Sequence, residues 1–288
     1  MTATTSTTVG TPRRRRWRTG SVVIDAALLV VGIVMVAPLV WLVSSSLTAA
    51  GQAFTLPPKW IPSPFTLDNF AEVPELLPFG RMAMNSLVVA VTATAGSLFT
   101  SVLAAYAFSR LEFRGSRVMF IAMLSALMVP PQLTIIPVFL MMRNLGLVDT
   151  LPALWLPALI NVFAIFFLRQ YFNTIPRELD DAAKIDGAGH LWILFRMLVP
   201  LSGPALSALA ILAFEASWNN YFAPLILVYS PDNMTLPLGL VTLQSSFGTS
   251  PTVVVFAAIT MVVLPVLILF LAFQRSFAAS IAISGIRG

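Results

Sequence analysis

The stretch ELDDAAKIDGAGHLWILFRMLVP, residues 178–200, carries six charged side chains and two glycines between long apolar runs. Its meaning depends on what those runs are. The chain has 288 residues, 58% hydrophobic and only 10% charged, with a mean hydropathy of +0.88. A typical globular chain is roughly 25% charged. A soluble core of this length has no way to bury so much apolar surface. The composition therefore argues against a soluble enzyme and for an integral membrane protein of all-α class. The polar stretch then lies at a membrane surface, between two spans.

Working outward, six apolar segments are expected to cross the membrane, at about 22–46, 85–108, 118–142, 151–172, 198–227 and 252–274. Each is long enough, at ~1.5 Å per residue, for about 30 Å of hydrocarbon. Internal Pro38, Pro130, Pro131, Pro137, Pro157, Pro204 and Pro265 predict kinks, which neighbouring helices make tolerable by satisfying the freed carbonyls. The cations set the orientation. With the N-terminus inside, the cytoplasmic segments hold Arg13, Arg14, Arg15, Arg16 and Arg18, then Arg110, Arg114 and Arg117, then Arg169, Arg177, Lys184 and Arg196, then Arg275 and Arg287. Only Lys59, Arg81 and Arg143 fall outside, so fourteen of the 17 cations lie inside. Both termini are expected in the cytoplasm of a multi-pass cell-membrane protein. The net charge of +5 reads as positive-inside bias and attraction to anionic lipid, with no nucleic-acid partner.

Three regions follow: a disordered, basic cytoplasmic N-terminus over 1–20, a transmembrane domain over 21–275, and a cytoplasmic C-terminal tail over 276–288. A cleaved signal peptide competes for the N-terminus, because charge precedes an apolar run. The run from Val22 to Val43 is long enough to span, and no A-x-A-like site ends it, so it is expected to stay. The chain has no cysteine, which excludes disulfides and thiolate metal sites, and its one histidine, His190, cannot build a histidine metal site alone. No metal site is expected.

With this topology residues 173–197 face the cytoplasm. Pro176 suits a first helical turn, and Glu178, Asp180 and Asp181 sit where acids favour the helix dipole. Ala182 and Ala183 continue the helix, and Gly187 and Gly189 interrupt it. A second short helix is expected to follow, with Leu191, Leu194, Phe195 and Leu198 at i, i+3, i+4 and i+7 forming one apolar stripe. The shape is helix, glycine corner, helix: a peg for a groove in another protein. An amphipathic hairpin resting on lipid headgroups is the alternative.

Here the residues carry a resemblance. The stretch resembles the EAA loop of ABC-importer membrane subunits, whose pattern is E-A-A, three residues, Gly, about nine residues, then I-x-L-P. This chain has Asp181-Ala182-Ala183, Gly187 and Met197-Leu198-Val199-Pro200. Asp for Glu keeps the charge; Met for Ile and Val for Leu stay apolar. The likeness extends to the carbohydrate-type branch, the one that includes the maltose permease smaller subunit. Asn85-Ser86-Leu87 opens the second span in the family manner, and Ala104-Ala105-Tyr106-Ala107-Phe108-Ser109-Arg110 closes it. Trp218-Asn219-Asn220 with Pro224 resembles W-N-x-F…P-L, and Gly285-Ile286-Arg287-Gly288 resembles the family ending. Ser280 and Ser284 stand where that tail has glycines. The resemblance covers roughly residues 35–288.

That resemblance implies a type I ABC importer permease fold, with six transmembrane helices and a cytoplasmic helix-turn-helix coupling loop over 173–200. It implies a non-catalytic subunit forming half of a translocation pathway for a sugar, oligosaccharide or related polyol. The implied partners are a second homologous permease subunit, two ATPase subunits and an extracytoplasmic solute-binding protein, in membrane lipid. No G-x-x-x-x-G-K-[ST] loop is present, so this chain is expected to bind no cofactor, with ATP and Mg on the ATPase. The resemblance assigns ATPase coupling to Glu178, Asp181, Ala182, Ala183, Asp186, Gly187, Leu191, Phe195 and Pro200.

Polar groups inside spans are costly and mark pathways. Glu215 and Asn219, at i and i+4 with Asn220 beside them, are candidates for the substrate pathway, as are Asn85 and Asn161. For Asn85 and Asn161 an interhelical hydrogen bond is the plainer role. Asp25 sits at a membrane edge, where snorkelling or capping accounts for it, and His190 is expected to be a surface contact. The external loops 48–82 and 228–251 are long enough to meet a partner or to serve as solvated connectors; the resemblance places the second against a binding protein. Two rivals remain. A secondary, ion-coupled transporter leaves the cytoplasmic peg unexplained, and an intramembrane enzyme lacks a Ser/His, HExxH or paired-aspartate motif.

Overall fold

A computed structural model describes residues 19–51, 60–245 and 252–285. The N-terminal segment 1–18, and with it most of the expected basic region, lies outside the described residues, as do 246–251 at the tip of the second external loop. The described chain is helical; its one extended pairing is an isolated bridge between Thr48 and Phe65.

The first apolar segment forms α1 (Thr19–Ser46), whose surface the rest of the chain leaves almost wholly uncovered, as suits a helix facing lipid. Its carbonyl end is capped from outside the helix: Asn69 Nδ2 donates to Ser46 O at 2.7 Å and to Thr48 O at 2.9 Å. Asn69 belongs to α2 (Asp68–Leu76), a short helix that buries Val73 against Val253, Val254 and Ala257.

The second span is α3 (Phe79–Arg110), 32 residues long. It begins six residues before the expected start, so Asn85 lies inside it rather than opening it. One side is buried throughout, at Met82, Ser86, Ala90, Ala93, Ser97, Ser101, Ala105 and Ser109 among others. These small residues recur every three or four positions and let neighbouring backbones approach closely. At Gly96 a Cβ would lie 2.2 Å from Leu159 Cδ2, so the glycine makes room for the segment that packs there.

The third span is broken. Helix α4 (Ser116–Ser125) runs through a 3₁₀ turn at Ala126–Met128 and meets α5 (Pro131–Asn144) at 105°. Pro130 and Pro131 are the cause: two N–H groups are missing, and the residue before a proline is driven out of the helical region. Val129 is accordingly extended, at φ −90° and ψ 117°. The fourth segment begins with α6 (Pro152–Trp155) and a 3₁₀ turn at Pro157–Leu159, then restarts as α7 (Val162–Thr174).

Next, α8 (Arg177–Ile185) and α9 (His190–Trp192) form the expected corner. Helix α9 continues through π-helical turns over Ile193–Leu198 into α10 (Val199–Leu201), then bends by 81° into α11 (Gly203–Trp218). The expected fifth span, 198–227, is therefore shorter. It starts after the bend and stops at Trp218, where Asn219-Asn220 breaks it before α12 (Phe222–Leu227). The loop expected over 228–251 holds a helix, α13 (Leu236–Ser245), whose Leu236, Leu238 and Leu243 are buried. The last segment is α14 (Thr252–Gly285), continuous past the expected end of its span.

By length and composition α1, α3 and the run Pro152–Thr174 each suffice to cross a membrane, and each bent pair makes one more crossing if counted whole. The largest buried apolar cluster sits beneath the corner. There Val102, Ala105 and Tyr106 of α3 meet Leu168 and Phe172 of α7, Ile193, Leu194 and Leu198 of the π-helical turns, and Ala205 and Leu209 of α11.

Candidate functional site

Two places stand out: the corner and a cavity between the spans. At the corner, α8 starts after Pro176 with Glu178 and Asp180 in its first turn and Lys184 in its last, each sign placed to favour the helix dipole. It ends in a Schellman motif. Gly187 N donates to Lys184 O at 2.9 Å, Ala188 N donates to Ala183 O at 2.9 Å, and Gly187 has φ +85°. A Cβ there would meet nothing within 4 Å, so the glycine is required by backbone conformation and not by space.

The corner exposes Glu178, Asp181, Ala182, Asp186 and Gly187 together, while Ala183 packs inward on the apolar cluster. Asp181 pairs only with Lys184, at 3.1 Å and in solvent. The expected apolar stripe is corrected. Leu194 and Leu198 are buried, but their companions are Ile193 and the half-buried Met197; Leu191 is 66% exposed and Phe195 is exposed, stacking on Phe99. The π-helical turns rotate the register, so a spacing rule built on 3.6 residues per turn fails there. Ile185 is 88% exposed at the end of α8, and Leu179, Leu191 and Trp192 are also exposed apolar side chains of the corner. Pro200 is exposed at the start of the bend.

Sequence reasoning missed Asp180 as a distinct residue. It is 4% exposed, and its Oδ2 lies 2.6 Å from Arg110 Nε at the end of α3. His190 is more than a surface contact: its Nδ1 lies 3.0 Å from Tyr106 Oη. No signal in the residue order separates Asp180 from its exposed neighbour Asp181; packing against α3 does.

The cavity, about 350 Å³, lies among α3, α11 and the 3₁₀ turn before α7. Its polar lining is Ser86, Ser97, Asn161, Ser217, Asn220 and Thr235, with no charged side chain among the described residues that line it. Two of the five candidate pathway residues are here. Asn161 Oδ1 accepts from Ala164 N at 3.0 Å and caps α7; Asn220 Oδ1 accepts from Ala223 N at 3.1 Å and caps α12. Both oxygens are thus used by backbone, which leaves two amide NH₂ groups as donors. Thr235 is buried, and its Oγ1 has no partner among the described residues.

The other three candidates lie elsewhere. Asn85 Nδ2 donates to Asp232 O at 2.8 Å and Met234 O at 3.0 Å, so it ties the segment before α13 to α3. Glu215 and Asn219 are exposed and bonded to each other at 2.8 Å, outside the cavity lining. Between α5 and α6, Asp149, at φ 61°, accepts from Tyr229 N at 3.0 Å and Ser230 N at 2.9 Å, and also from Ser230 Oγ. Burial pushes its carboxyl up, but these donors outweigh burial and hold it below its ordinary value. No cluster of three or more His, Cys, Asp or Glu able to hold a metal occurs among the described residues.

Residues 96–283 match the family described as binding-protein-dependent transport system inner membrane component. The chain belongs to this family. The match runs from the middle of α3 through the corner into α14, so it includes both the acid-and-glycine turn and most of the cavity. This inner membrane component is 38% identical over 228 residues to the arabinooligosaccharides transport system permease protein AraQ of Halalkalibacterium halodurans, covering 79% of this chain and 81% of that one. It is 32% identical over 269 residues to the diacetylchitobiose uptake system permease protein NgcG of Streptomyces coelicolor, covering 89% and 86%. Among solved structures it resembles a bacterial ABC transporter involved in the import of the acidic polysaccharide alginate, with TM-score 0.78 and 26% identity over 93% of this chain and all of that one. The component is thus a multi-pass membrane permease subunit of type I ABC importer fold.

Proposed function

We propose that this subunit forms half of the translocation pathway of an ATP-driven importer of a neutral sugar, oligosaccharide or polyol. The observation that carries the reading is the corner: acids, a Schellman glycine and exposed Ile185, Leu191 and Trp192 stand on a buried apolar base. Exposed apolar side chains beside charge on a rigid support make a docking surface. Its occupant in this reading is an ATPase subunit, which binds ATP and Mg; this chain binds no cofactor and catalyses nothing. A second homologous permease completes the pathway, and an extracytoplasmic binding protein delivers the solute. Both termini then lie in the cytoplasm, with 276–288 as tail, as the fourteen-to-three distribution of cations favours.

The sugar class is supported by the carbohydrates in the relatives' names and by the cavity, whose serines, threonine and two amide donors suit hydroxyl oxygens. An uncharged lining favours a neutral solute over a carboxylated one. The test has two parts. Affinity purification of the tagged subunit is expected to bring down an ATPase carrying a phosphate-loop motif, and Asp181→Lys is expected to lose that partner while the permease still inserts. Ligand identification on the cognate binding protein is expected to return an uncharged carbohydrate. A subunit that supports uptake with no ATPase attached would make it a secondary transporter instead.

A further inference from the structure

The corner is fastened to one membrane helix far more than chain connectivity requires. Four of the last five residues of α3 receive it. Arg169 Nε donates to Phe108 O at 3.1 Å, and Arg177 Nη2 donates to Ser109 O at 3.0 Å. Arg110 Nη2 donates to Ile175 O at 2.9 Å, and Arg110 meets Asp180 at 2.6 Å with both side chains almost wholly buried. One turn earlier, Tyr106 meets His190 at 3.0 Å. The carbonyl end of a helix is where cations are favoured, and these carbonyls have no helical partner of their own. Beneath the polar contacts, Val102, Ala105 and Tyr106 join the apolar cluster that supports the corner. The contacts come from α7, the 175–177 link, α8 and α9, so every part of the corner is tied to the same helix end. That same helix presents Ser86, Val89, Ala93 and Ser97 to the cavity.

We infer that Arg110 and Asp180, with Tyr106 and His190, are positioning residues that make α3 and the coupling corner one rigid body, so that a displacement of the corner moves the cavity wall. The inference rests on the proposed coupling to an ATPase. The buried pair suits such a joint. Either partner alone would be an uncompensated charge in a poorly solvated place, so the two stay together through a movement in which exposed pairs exchange with water. The pair is also incompletely bonded: Arg110 Nε–H is not aimed at its carboxylate, and Asp180 Oδ1 has no hydrogen-bond partner among the described residues. Charge attraction therefore carries the joint, and a neutral isostere at Asp180 keeps its shape while removing its hold.

The chain lacks native cysteine, which permits a direct test in the reconstituted importer of this subunit with its partner permease, ATPases and binding protein. Spin labels at Val91→Cys, an exposed site on α3, and Lys184→Cys, at the end of α8, stand about 30 Å apart by helix rise. The separation is expected to be the same with and without bound ATP, and to shift or broaden between those states when Asp180→Asn is added. A change of about 5 Å between nucleotide states without Asp180→Asn, the scale of one helical turn, would overturn the rigid joint. In the same complexes Asp180→Asn is expected to lower solute moved per ATP hydrolysed by about tenfold. The double variant Arg110→Gln/Asp180→Asn is expected to recover part of it. A purely structural role would reduce uptake and hydrolysis together and leave their ratio unchanged, and that result also overturns the inference. Failure of any ATPase to assemble would overturn the coupling reading as well as this one; assembly with a changing separation overturns this one alone.

Discussion

At the scale of a single residue, Gly187 shows how one backbone angle organises the corner. Its φ of +85° belongs to a left-handed conformation that costs an L-residue with a Cβ about 1–2 kcal/mol. Gly187→Leu is expected to loosen the turn and to lower ATPase recovery and solute uptake several-fold. Gly187→Asn, which accepts this conformation more readily, is expected to retain most of both. If Asn and Leu proved equally damaging, the requirement would be for close approach by the partner and not for φ. Asp149 makes the complementary case between α5 and α6. Its carboxyl is held below the ordinary 3.8, so its contribution is fully present above that value and is lost as pH falls through the lower native one. Acid is therefore expected to release the segment at Tyr229 and Ser230 in that window. A fluorophore at Tyr229→Cys would report the release as a mobility step, and Asp149→Asn is expected to abolish the step.

At the scale of elements, the helix contacts explain why some of the fold was legible and some was not. The six apolar segments announce themselves because lipid demands long apolar helices, and Asp181, Ala182, Ala183 and Gly187 announce the corner because a glycine must end α8. What the sequence conceals is angle and phase. Pro130 and Pro131 signal a break, but nothing in the residue order distinguishes a mild kink from the 105° turn between α4 and α5. The π-helical turns shift the buried set from Leu191 and Phe195 to Ile193 and Met197. Asp180 and Asp181 are adjacent acids on paper, and only packing against α3 buries the first. The α3 contact with the 3₁₀ turn at Pro157–Leu159 gives an element-scale prediction. Gly96→Val puts atoms where Leu159 Cδ2 now lies, and overpacking of this kind costs about 1–3 kcal/mol. The variant is expected to melt several degrees lower in detergent, and Leu159→Ala is expected to restore most of the loss. Failure of that second change to help would mean the backbones, not the leucine, are in conflict.

At the scale of the whole molecule, the corner and the cavity are two ends of one arrangement. Helix α3 enters both, and α11 lines the cavity at one end and joins the corner through the 81° bend at the other. The two are structurally separate, because the residues exposed at the tip share no side chain with the cavity lining. Ala216 faces the cavity from α11 and is remote from the corner in the chain. Replacing it with Trp adds bulk comparable to much of a 350 Å³ space while leaving α8 and α9 untouched. Ala216→Trp is expected to lower uptake by about tenfold or more while binding-protein-stimulated ATP hydrolysis continues, since the differential contacts that drive the cycle lie elsewhere. Asn161→Leu, which removes an amide donor and the α7 cap together, is expected to weaken both uptake and thermal stability, so the tryptophan variant is the cleaner probe. Uptake unchanged in Ala216→Trp would place the solute's route outside this cavity.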